Sequence, residues 1–250
     1  MQPRFDWRPL ALFVFVALGL AMAVAPEAQP AGASVETPPG ELIESPSGRR
    51  FFPTGYRPLD VALSQVGVVE RPRNSNRGPD VEKYLRSVGV GPGAPWCASF
   101  TSWCRIEASR QTVDQVGFGP FTRSGRPFYS AVATAHFGYG RKIRMAEVWR
   151  GARAAPVGSL VIWRRGTGWQ GHIGFVWKDD DPTDEGFARG DRSPEARAWR
   201  HRCGVVVEGN AQPGRSGNQR NGGGVYTRDR CGSHSYFKIE GFIAPQTRDL

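Results

Sequence analysis

Four residues of this 250-residue chain have the types and settings that nucleophilic catalysis requires: Cys97, His172, Glu208 and Asn210. Cys97 lies in Pro95-Trp96-Cys97-Ala98-Ser99-Phe100, where a breaker-rich turn (Gly91-Pro92-Gly93-Ala94-Pro95) feeds a helical pattern. A thiol at a helix start faces unpaired backbone N–H groups and the positive end of the helix dipole, both of which favour thiolate. His172 opens Gly171-His172-Ile173-Gly174-Phe175-Val176. Strand alternation puts His172, Gly174 and Val176 on one face and Ile173, Phe175 and Trp177 on the other. The bulky face belongs to a core, and the glycine beside His172 leaves room for a neighbouring group. Val207-Glu208-Gly209-Asn210 then sets a carboxylate and an amide at the mouth of a further strand. A cysteine, a histidine and a polar group in such settings suit nucleophile, base and orienter.

The other cysteines and histidines carry less. Cys104 follows Cys97 by about two helical turns, too far for the two to join within one helix, and reads as a core thiol beside Trp103. No pair stands in a C-x-x-C arrangement, and His136, His172, His201 and His234 are not spaced as metal ligands. No metal site and no cofactor is expected.

The elements that must position these residues change character along the chain. Apolar spacing predicts helices over 59–68, with Asp60 as an early cap, over 80–88, with Val81, Tyr84 and Leu85 on one face, and over 96–107. A short helix is expected at 130–136. Beyond Pro156 the pattern becomes short strands: 159–163, 172–177, 203–208, 224–227 and 236–243. Helices first and an antiparallel sheet afterwards mean an α+β fold. The segment 179–200 reads as a solvated insertion, with an acidic run Asp179-Asp180-Asp181 that is not in register with a calcium loop. The stretch 210–224 reads as a wide, glycine-rich hairpin connection.

The amino terminus points to export. Arg4 and Arg8 precede an uncharged apolar run from Leu10 to Ala25, which describes a secretory signal over 1–25 or, if uncleaved, a membrane anchor. The expected localisation is periplasmic or secreted, with membrane contact only through this segment. Residues 26–56, rich in Pro, Ala, Gly, Glu and Ser, read as a linker, and residues 57–246 as the folded domain. In an exported protein Cys203 and Cys231 are candidates for a disulfide. The net charge of +10 suits an anionic partner, but the basic residues are scattered and nearly all arginine. No helix-turn-helix, zinc module or aromatic RNA-binding signature accompanies them, so nucleic acid is not the expected partner.

The motifs together resemble a known family, the CHAP domains (cysteine, histidine-dependent amidohydrolase/peptidase). Pro95 to Phe100 with Ser102-Trp103-Cys104 is similar to their nucleophile motif, and Val157 to Trp163 to the strand before their histidine. Gly171 to Val176 is similar to the histidine motif itself, and Val207 to Asn210 to the third motif. Residues 62–67 and 76–85 resemble the opening helices, so the likeness spans roughly 57 to 245. It implies a papain-like fold, with N-terminal helices packed on a small antiparallel sheet, and cleavage of amide bonds in peptidoglycan or its stem peptides. Cys97 would be the nucleophile, His172 the base and Glu208 the third member, with Asn210 as rival or helper. Trp96 and Trp169 are expected at the cleft as substrate contacts, with core packing as the alternative for Trp96. A non-catalytic wall- or polyanion-binding module, and an amidase acting on a small non-wall substrate, are the competing readings.

Overall fold

The computed structural model describes residues 42–114, 116–150, 152–153, 155–179, 203–213, 222–231 and 237–249, with only the backbone of 178, 179, 203, 231 and 237. Contacts divide the chain into units 1–34 and 35–250, and every described residue belongs to the second. The apolar amino-terminal run, His201, His234 and most of the acidic insertion lie outside the described residues.

The fold is α+β, with helices α1 (Arg57–Leu63), α2 (Pro79–Arg86) and α3 (Cys97–Arg110) preceding most of the strands. Proline at the first turns of α1 and α2 costs no hydrogen bond, because those N–H groups have no intrahelical acceptor. Asp60 does not cap α1 from outside. It sits in the first turn, where its carboxylate accepts hydrogen bonds from the backbone N–H and the hydroxyl of Thr54. Val81, Tyr84 and Leu85 form the buried stripe of α2, as their spacing predicts.

A six-stranded sheet runs in the order β4 (Lys142–Arg144), β9 (Phe237–Ile243), β5 (Leu160–Arg165), β6 (Gly171–Asp179), β7 (Cys203–Ala211), β8 (Gly224–Cys231). Every pairing in it is antiparallel. Its two faces serve two clusters. Leu160, Ile162, Ile173, Phe175, Val207, Val225 and Ile243 share a core with Leu59, Leu63, Tyr84, Phe100 and Cys104 of the helices. Val161, Trp163, Val176, Val206 and Phe242 pack instead with Met145 and Val148 of the short α4 (Met145–Trp149). The alternation along β6 places Ile173 and Phe175 in the first cluster and Val176 in the second, so both faces of the strand are buried.

Smaller pieces complete the unit. A two-stranded hairpin, β1 (Ile43–Glu44) with β2 (Arg50–Phe51), falls in the stretch expected to be linker. Phe51 buries its ring in the first cluster, edge-on to Trp177 at 5.4 Å between centroids. A ring of that size buries well over a hundred Å², and Ile43 against the same core and the Ser47 N–H donated to Val66 O at 3.2 Å add to the hold on the body. β3 (Val116–Phe118) pairs with β10 (Thr247–Asp249) near the carboxyl terminus. Residues 133–138 form a 3-10 turn three residues later than the helix expected at 130–136. Among the described residues no helix is long and apolar enough to cross a membrane.

Candidate active site

Cys97 is the first residue of α3, after an extended turn that ends at Trp96. The placement of α3 depends on a close approach at Gly209 on β7: a Cβ there would lie 2.7 Å from the Phe100 side chain. Glycine lets the helix, one turn beyond the cysteine, settle against the strand that carries Glu208.

His172 stands near the start of β6 and is 3% exposed. Its Nε2 lies 2.7 Å from Glu208 Oε2, and Cys97 stands near enough to the ring to favour its charged form. With Nε2 engaged by the carboxylate, Nδ1 is the nitrogen left for the sulfur. Register explains how the ring and the carboxylate meet. Trp163 pairs with His172 and Val161 with Gly174, so these residues share a face of the sheet with Val176, Val206 and Glu208. The room read beside His172 is taken by that carboxylate side chain: a Cβ on Gly174 would stand 2.9 Å from Glu208 Cγ and 2.5 Å from Val206 Cγ1.

Glu208 is fully buried, and its charge is balanced by a residue the motifs do not point to. Arg230 on β8 donates from Nε to Oε1 and from Nη2 to Oε2, a bidentate clamp. Burial alone would raise the carboxyl; Arg230 first and His172 second outweigh it and hold Glu208 well below the usual carboxylate range. In turn, burial pulls His172 down, but Glu208 and Cys97 outweigh that pull and raise the imidazole to about 9. Trp163 lies beneath both cations, 5.5 Å from the His172 ring and 5.4 Å from the Arg230 guanidinium. A signal for Arg230 existed only in strand pairing: it faces Gly204, four residues before Glu208.

The remaining sequence candidates separate clearly. Asn210 borders the same cleft but is not hydrogen-bonded to His172; it takes a positive φ of 55° at the β7 bulge, and its buried Oδ1 has no hydrogen-bond partner among the described residues. Trp169 lies on the cleft rim and is 69% exposed. Trp96 is a correction to the expected substrate contact. It is fully buried, stacked on Tyr84 at 5.6 Å, and its indole N–H donates to Glu70 at 2.8 Å, so it anchors the turn before Cys97 from inside the core. Cys104 is a buried core thiol, pushed well up by burial. His136, also fully buried, has the opposite electrostatics to His172: burial and then Arg105 lower it to about 3, which keeps it neutral. The backbones of Cys203 and Cys231 are direct partners across β7 and β8; their side chains lie outside the described residues. No group of three His, Cys, Asp or Glu residues suited to a metal ion occurs among the described residues.

The cleft that Cys97 and His172 share holds about 240 Å³ and is walled by residues 131–133, the β5–β6 turn and Asn210. A sulfur nucleophile, a cationic imidazole on one side of it and a neutralised carboxylate behind that imidazole form an arrangement competent for acyl transfer. No curated protein matches the chain. Residues 89–186, from before the Cys97 turn to beyond the His172 strand, match the family model of the CHAP domain.

Proposed function

We propose that the protein is a cysteine amidohydrolase of papain-like fold that cleaves an amide bond in bacterial peptidoglycan through Cys97, His172 and Glu208. The observation that carries this reading is the contact chain in one cleft: Cys97 to His172, and His172 Nε2 to Glu208 at 2.7 Å. Cys97 Sγ, as thiolate beside imidazolium, attacks the amide carbonyl carbon. The developing oxyanion meets the backbone N–H of Cys97 at the start of α3. His172 passes its proton to the leaving nitrogen as the C–N bond breaks, which leaves a thioester. Water then gives a proton to His172, attacks the thioester carbonyl and releases the acid, restoring the cysteine. Glu208 keeps the imidazole oriented and charged, and Arg230 keeps Glu208 ionised.

The folded unit extends upstream of residue 57 to include the β1–β2 hairpin, and the apolar run 10–25 acts as a secretory signal that delivers the domain to the cell wall. The test is digestion of purified sacculi by the wild type and by Cys97→Ala, followed by mass analysis. New amino termini within peptides identify an endopeptidase, and free stem peptides an amidase acting at the sugar–peptide bond. Equal product from wild type and variant overturns the assignment of Cys97.

A further inference from the structure

The turn between β5 and β6 sets an aromatic ring at the mouth of the reaction cleft. Trp169 is 69% exposed, lines the cleft with Cys97 and His172, and makes no aromatic ring contact among the described residues. An indole left in water at such a place keeps a large apolar plane unburied, and a ligand laid on it would remove that plane from water. The turn that carries it is tied down at three carbonyls. Arg164 Nη1 donates to Gly168 O at 2.8 Å, and the Arg165 N–H donates to Gln170 O at 2.9 Å. The Thr134 hydroxyl donates to Trp169 O at 2.5 Å.

The other wall is short and apolar. Ala131, Val132 and Ala133 border the cleft at the start of the 3-10 turn, and Pro95 borders it two residues before Cys97. The walls approach closely at Gly171, where a Cβ would lie 2.6 Å from Thr134 Cγ2. The space between them, about 240 Å³, is below the roughly 300–1,000 Å³ of sites that enclose a whole drug-sized ligand. It takes the reacting amide and one small side chain. A larger group next to that amide must lie across the rim, where Trp169 stands.

Peptidoglycan offers two kinds of amide to such a cleft. An amide between stem residues is flanked by small or charged side chains, none of which presents a flat apolar face. The amide that joins the stem to the glycan has a pyranose ring on its acyl side and an alanine methyl on its amine side. A pyranose has a C–H face to lay on an indole, and a methyl fits a wall of alanine and valine. We infer that the scissile bond is the lactyl–alanine amide linking sugar to stem, with the sugar on Trp169 and the alanine methyl against residues 131–133. This inference rests on the amidohydrolase reading and names its bond. Cys97 Sγ bonds to the lactyl carbonyl carbon, the C–N bond breaks, and His172 gives its proton to the alanine nitrogen. The stem peptide leaves with a free amino terminus, and water then hydrolyses the thioester to the sugar's carboxylic acid and the thiol.

The test is calorimetric binding to the full-length Cys97→Ala protein of two synthetic ligands with the same stem peptide. One carries N-acetylmuramic acid on its alanine nitrogen, and the other carries an acetyl group there. A sugar face covering one indole removes enough apolar area from water to lower the Kd about tenfold. Adding Trp169→Ala should bring the two Kd values together, and adding Trp169→Phe, which keeps a smaller ring, should restore part of the gap. Equal Kd values in the Cys97→Ala parent, absence of binding, or a gap that survives Trp169→Ala each overturn the inference. So do wild-type digests that contain cuts within the stem instead of stems beginning with alanine. The parent comparison needs no substitution at 169, so a misfolded double variant does not spare it. Wild type that releases no product from sacculi defeats the amidohydrolase reading, while the Kd ratio still decides whether Trp169 holds a sugar.

Discussion

Replacing Glu208 with glutamine removes one negative charge from a site where two cations face it, Arg230 through a bidentate clamp and His172 at 2.7 Å. Size is nearly conserved, so the perturbation is electrostatic. His172 is raised to about 9 against the downward pull of burial, chiefly by Glu208 and then by Cys97. With Glu208 gone, the imidazole falls back at least to its ordinary value of about 6.5. At pH 7.5 the imidazolium fraction then drops from nearly all of the protein to about one-tenth, whereas at pH 5.5 roughly nine-tenths stays charged in both forms. The assay is kcat/KM for peptidoglycan fragments from pH 5 to 9.5, with circular dichroism at each pH to confirm the fold. The variant's deficit should be about tenfold larger at pH 7.5 than at pH 5.5, and its alkaline limb should move from near 9 to near 6.5. A loss of the same factor at every pH would mean that Glu208 only aims the ring, and no loss at all would remove it from the machinery.

Four further outcomes follow from the same charges and contacts. Arg230→Met strips the buried carboxylate of its clamp and should lower stability by about 3 kcal/mol in urea titrations, while activity at pH 7.5 falls as well; an unchanged midpoint and unchanged activity would make the clamp incidental. His172, raised in the folded state, contributes stability fully below about pH 6.5 and loses it as pH climbs through 9, on the order of 3 kcal/mol. His136, lowered to about 3, has the opposite sign: its contribution is complete above about 6.5 and is lost on acidification, so His136→Asn should flatten the acid side of the stability curve alone. Gly174→Ala puts a methyl 2.8 Å from the Val207 carbonyl and 2.9 Å from Glu208 Cγ, and should cost about 1–3 kcal/mol by thermal unfolding and displace the carboxylate, with activity falling further than stability.

The elements that carry the candidate site were legible because each has a local signature. The stripe of Val81, Tyr84 and Leu85 fixed a helix face, and the alternation from His172 to Trp177 fixed which side of β6 meets the helical core. The pieces that were not legible are short and gain their stability from distant partners. β4 is three residues whose mates are in β9, and β3 pairs with residues 247–249, more than a hundred positions away. Such pairing leaves no local period to read. The β1–β2 hairpin hid for a different reason: its surroundings are Pro-, Gly- and Ser-rich, and its hold on the body comes from Phe51 and Ile43 against the core and from hydrogen bonds of Ser47 to Val66 and Arg49 to Thr227. At the site, Trp96 was ambiguous because adjacency to a nucleophile places a side chain equally well in a cleft or behind it. The buried Glu70 carboxylate, which accepts its indole N–H, decides for behind.

Charge balance explains why Arg230 in particular escaped the sequence. Cys97, His172 and Glu208 can each be suspected from type and neighbours, but as a set they hold two potential anions against one imidazolium, in a site from which water is largely excluded. A buried carboxylate with no second cation would take up a proton, and His172 would lose the charge that keeps its proton near the sulfur. The fold therefore requires one more positive group within reach of Glu208. That group comes from the next strand, where the antiparallel register of β7 and β8 turns Arg230 to the face of Glu208. On a chain with 33 basic residues, composition gives no way to single it out. The requirement for a cation is readable from chemistry, whereas its identity depends on a register that only the folded sheet supplies.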